Sequence, residues 1–159
     1  MDVSRERLAA LTRVSELQST AQQAYFAAVR AGPAAGDLFD DWHARARQWM
    51  DAAAEYTATW PGDVDLSLIA TPFASSLFMW ADHLAAAGDR AGAEACRAEA
   101  NGLIDRYVDA VRAADLRRGQ ALTHAAEGHF HHALLDLDAA RETFLAAGRV
   151  LLAAQTALD

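Results

Sequence analysis

Residues 37–60 read DLFDDWHARARQWMDAAAEYTATW, and Phe39, Trp42, Ala46, Trp49, Ala53, Tyr56 and Trp60 recur in it at alternating steps of three and four. That spacing keeps one apolar stripe on one side of a helix and fits no strand. The preceding run, residues 4–31 (SRERLAALTRVSELQSTAQQAYFAAVRA), has the same period but small side chains: Ala10, Val14, Leu17, Ala21, Ala24 and Ala28. Small residues on one helix let large rings on its neighbour approach closely, and the short link GPAAG (32–36) makes the two helices antiparallel. Gly32-Pro33 stops the first helix, Asp37 reads as the N-cap of the second, and Pro61-Gly62-Asp63 is the turn that ends it near Trp60.

The rest of the chain continues in helices. The 159 residues include 40 alanines against nine Val plus Ile and eight Thr, a composition that favours helix and starves strands. Thr71-Pro72 reads as a cap followed by a proline at the first helical position, opening a third helix that reaches Gly88 with Phe73, Leu77, Trp80 and Leu84 inward. Asp89 is expected to cap a fourth helix to about Ala114, a fifth covers roughly Leu116 to Leu134, and a sixth starts near Asp136 or Asp138 and runs to Ala157. No linker-like composition separates these segments. The expected architecture is all-α, one domain over residues 1–159, with about six antiparallel helices arranged as stacked helical hairpins or as an up-and-down bundle.

Charge narrows the functions. Acidic residues outnumber basic ones 22 to 14, giving a formal charge of -8, and every basic residue is Arg. An acidic chain with no basic block is a poor ligand for nucleic acid or an anionic membrane, so neither is expected as a partner. The stretch Leu66–Ala81 is uncharged but shorter than the ~20 residues a spanning helix needs, and the amino terminus has no apolar leader. Cys96 is the single cysteine, which precludes an intramolecular disulfide and suits a cytoplasmic, reducing compartment.

Two segments resemble each other and a known repeat. LFMWADHLAAAGDRAGAEACRAEA, from Leu77, places Gly88-Asp89 at a turn and Ala93 and Ala100 where paired helices touch; ALTHAAEGHFHHALLDLDAARETFLAA, from Ala121, places Gly128, Ala140, Phe144 and Ala147 in a small, small, aromatic, small pattern. These segments resemble tetratricopeptide repeats over about residues 77–157, and the continuation through Gly148 is similar to the tetratricopeptide-like regions of large bacterial transcriptional activators. Arg90, Arg97 and Glu127 stand where the family has large residues, and no terminal proline follows. The resemblance implies helical hairpins that stack and bind a protein or peptide partner.

Six histidines are the other chemical feature. His124, Glu127 and His131 lie at i, i+3 and i+7 on one face of the expected fifth helix, a set able to hold a divalent metal; His129, His132 and Asp136 repeat the spacing on another face. His43, His83 and His124 follow at intervals of 40 and 41, as if three helices each aimed an imidazole at a shared cavity beside Trp42 or Trp80. Against this, no HExxH or ExxH pair occurs, and no GxSxG, GxGxxG or phosphate loop. Cys96 lies on an inner stripe, where a thiol is unreactive.

These observations favour a non-catalytic protein or peptide interaction module with no cofactor, with a second copy of the chain as another candidate partner. The alternative is a small-ligand or metal-binding helical bundle with enzymatic capacity, built on His43, His83, His124, Glu127, His131, Trp42 and Trp80. Its metal would sit on His124, Glu127 and His131.

Overall fold

The computed structural model describes residues 3–32 and 35–158. Within them lie seven helices and no strand: α1 (Val3–Ala31), α2 (Gly36–Thr59), α3 (Ser67–Ala86), α4 (Arg90–Tyr107), α5 (Ala110–Ala126), α6 (Phe130–Ala146) and α7 (Val150–Thr156). The all-α class is the one the alanine-rich composition requires. The helices pack as two compact units, Met1–Ile69 and Ala70–Asp159. The division falls inside α3, so no change of composition announces it.

In the first unit α1 and α2 form the expected hairpin. Val14, Ala21, Ala24 and Ala28 of α1 are buried, as are Phe39, Trp42, Ala46, Met50, Ala53 and Tyr56 of α2. Tyr25 and Trp42 meet across the interface with ring centroids 5.9 Å apart, and each large side chain so buried contributes about 1.5–3 kcal/mol. Met50, rather than Trp49, fills the middle of the stripe. Asp37 is not the N-cap: that place belongs to Ala35, which makes no side-chain cap bond, and Asp37 lies in the first turn, where its charge complements the helix dipole. Pro33, read as part of the stop, lies outside the described residues.

The start of α3 also differs from expectation. Asp65 accepts hydrogen bonds from the backbone N–H and the hydroxyl of Ser67 at 3.0 and 2.7 Å, so the helix begins at Ser67 and Pro72 lies within it. An Asx-type cap two residues ahead outweighs the Thr71-Pro72 signal.

The second unit repeats one local device. Gly128 has φ +86°, a conformation open to glycine and strained for other residues. Its N–H donates to the Ala125 carbonyl at 3.0 Å, and the N–H of His129 donates to the His124 carbonyl at 2.8 Å. These are the paired bonds of a Schellman stop. The same pair recurs where Gly88 and Asp89 bond Ala85 and Leu84, and where Gly148 and Arg149 bond Leu145 and Phe144. The predicted fifth helix through Leu134 is therefore wrong: Gly128 ends α5, α6 begins at Phe130, and Gly148 divides the predicted sixth helix to give seven in all.

The fourth predicted helix is also two. Val108 is extended, and the Asp109 carboxylate caps α5 by accepting from the N–H groups of Val111 and Arg112, both at 3.0 Å. The breaks thus fall at 88, 108, 128 and 148, twenty residues apart. Five positions after each break stands a buried alanine: Ala93, Ala113, Ala133 and Ala153. Ala121, Ala133 and Leu137 pack α5 against α6, and Ala114, Ala140, Phe144 and Ala153 pack α5, α6 and α7 together. Alanine at the contacts is what lets successive helices lie close.

Candidate functional site

The break at Gly128 decides the fate of the histidine constellation. His124 belongs to α5, Glu127 is its C-cap, and His131 lies in α6 beyond a reversal of the chain, exposed. The i, i+3, i+7 face does not exist, because it requires an uninterrupted helix. Among the described residues no three His, Cys, Asp or Glu side chains are placed to hold a metal ion.

The remaining candidates fall in both units. His43 stacks on Phe39 within the first unit, rings 5.6 Å apart and 9° from parallel, and Trp42 is core beside it. In the second unit Trp80 is buried on α3 with its ring 5.7 Å from that of His83, which is exposed. His83 and Glu127 share one cavity; His124 lines another.

The cavity holding His83 and Glu127 is a groove of about 460 Å³ between α3 and α5. Phe78 and Met79 of α3 and Leu116 of α5 give it an apolar floor, and Gly119 leaves the middle of that floor open. A Cβ added at Gly119 would meet nothing within 4 Å. Asp82, Asp115 and Glu127 stand at its edges, and no arginine lines it. Asp82 is committed: it accepts from Arg97 Nη2 of α4 at 2.8 Å and lies 3.7 Å from His124 Nε2 of α5, tying three helices together. Asp115 has Arg118 of its own helix at 3.9 Å, and Glu127 has the His129 imidazole at 3.8 Å.

The second cavity, about 730 Å³, is lined by residues of α3, α4, α5 and α6. Arg90, Arg97 and Arg117 line it together with Glu94, Asp105 and Asp136 and with His124, His129 and His132. His124 occupies a telling position. Four residues before the breaks at 88, 108 and 148 stand Leu84, Ile104 and Phe144; before the break at 128 stands His124. Its side chain is 15% exposed, and its Nδ1 is buried with no hydrogen-bond partner. A polar ring thus sits where the repeat places an apolar one.

A third constellation, in the first unit, is structural in character. Arg7 of α1 forms a two-pronged ion pair with Asp63, whose Oδ2 also accepts from the Tyr56 hydroxyl at 2.5 Å. The Arg7 guanidinium first, then the Tyr56 hydroxyl, hold the Asp63 carboxyl below the usual carboxylate range, and the bond to Asp63 pushes the Tyr56 phenol up.

Sequence reasoning missed Phe78, Met79, Asp115, Leu116 and Gly119. The one signal for them was Gly119 itself, a helix-weakening residue at mid-helix beside a charged run. No helix among the described residues is long and apolar enough to cross a membrane. No protein-family model, curated protein or solved structure matches the chain.

Proposed function

We propose that this chain is a non-catalytic protein or peptide interaction module of stacked helical hairpins, and that the groove between α3 and α5 is its binding face. The observation that carries the reading is the groove's open, apolar middle. α5 is the first helix of the α5–α6 hairpin, the Phe78, Met79 and Leu116 side chains supply an apolar lining, and Gly119 gives up about 1 kcal/mol of helix propensity relative to alanine, with nothing among the described residues within 4 Å of a Cβ placed there. The resemblance to tetratricopeptide repeats supports the same use, although hairpins here recur every 40 residues rather than the ~34 of that family. We place the module in a reducing, cytoplasmic setting on its single, buried cysteine.

Substituting Gly119→Leu fills the groove without touching the packed core and favours the helix. Immobilised native chain should capture a partner from a lysate of its source organism, and Gly119→Leu should lose it at equal helicity. Capture of only further copies of the chain would instead make the exposed Phe130, Leu134, Leu145 and Leu151 of α6 and α7 a self-association surface.

A further inference from the structure

Two carboxylates of the groove remain open to a partner, Asp115 near the start of α5 and Glu127 at its end. They are twelve residues apart, about 18 Å at a rise of ~1.5 Å per residue. The apolar floor lies between them, with Gly119 four residues from Asp115. A small organic amine could reach one carboxylate but not both. An extended chain covers the span in five to six residues at ~3.3 Å each.

Resting on the interaction-module reading, we propose that the α3–α5 groove binds an extended peptide carrying one large apolar side chain flanked by two basic side chains five to six residues apart. The apolar side chain lies over Phe78, Met79 and Leu116 where Gly119 leaves room, and the basic groups meet Asp115 and Glu127. Charge complementarity selects this occupant. No arginine lines the groove to repel a cation, Arg118, at 3.9 Å from Asp115, lies along α5 itself, and the chain as a whole carries -8. Asp82 takes no part, since Arg97 already holds it.

The test is selection of a random 12-residue peptide display library on the full chain, followed by titration of selected peptides by fluorescence anisotropy. The expected binders carry the basic–apolar–basic pattern. Asp115→Asn and Glu127→Gln, both nearly isosteric changes at exposed positions, should each weaken them roughly two- to fivefold, and Gly119→Leu at least tenfold, with circular dichroism unchanged. Peptides that lose binding in Gly119→Leu but lack the basic pair, or ignore both carboxylate changes, overturn the charge assignment and leave the module reading standing. Peptides indifferent to Gly119→Leu, or a library that yields no binder, overturn both.

Discussion

Asp63 shows how much one side chain does in the first unit. It joins Arg7 of α1 to Tyr56 of α2 and so fastens the ends of the hairpin opposite the 32–36 link. Because its carboxyl titrates below the usual range when folded, its stabilisation is present above pH ~4 and is lost as pH falls through the lowered value. The raised Tyr56 phenol has the opposite sign: its share is present below pH ~10 and is lost as pH climbs through the raised value. Thermal unfolding of Asp63→Asn followed by circular dichroism should therefore show a lower midpoint than the native chain at pH 7 and a smaller further loss between pH 5 and 3. Equal acid limbs would place the link's contribution elsewhere. His124 is the converse case, a residue that departs from the apolar rule its repeat equivalents obey, with a buried nitrogen left without a partner.

Among the elements, the breaks at 88, 128 and 148 explain both what the sequence reveals and what it hides. The aromatic and alanine stripes of α1 and α2 are legible because three-four spacing runs unbroken through both helices. Farther along, almost every face carries alanine, so the period blurs and a helix reads on through Gly128. What the pattern omits is hydrogen bonding: the Schellman pair at Gly128 and the Asp109 cap cost no apolar residue and leave no trace in the stripe. The candidate metal face depended on that continuity and vanished with it, while the groove escaped notice because its key residue has no side chain. Gly128→Ala forces a left-handed residue with a Cβ and should destabilise the chain by about 1–2 kcal/mol. Gly102→Ala, within α4 and with open space around its Cβ, should stabilise by up to about 1 kcal/mol. Urea unfolding of the two variants should move in opposite directions; a shift of the same sign in both would deny that 128 is a stop and 102 an interior position.

For the molecule as a whole the governing quantity is the charge of -8. A basic peptide is drawn toward it over a distance set by the screening length, ~10 Å at 0.1 M salt. Raising salt from 0.05 to 0.3 M should weaken the selected peptides by about fivefold, chiefly through slower association. Stopped-flow association at both ionic strengths checks this, and a salt-independent rate would mean that the apolar floor alone does the recruiting.

The twenty-residue step carries a kinetic consequence. Between Gly88 and the end of α7, part of the packing joins residues close in sequence, such as Ala121 with Ala133 or Phe144 with Ala153. Little loop entropy must be lost before such contacts form, so each local hairpin can close fast, ahead of the longer-range packing of the unit. A nascent chain can complete each hairpin soon after it emerges, so its apolar faces spend little time uncovered.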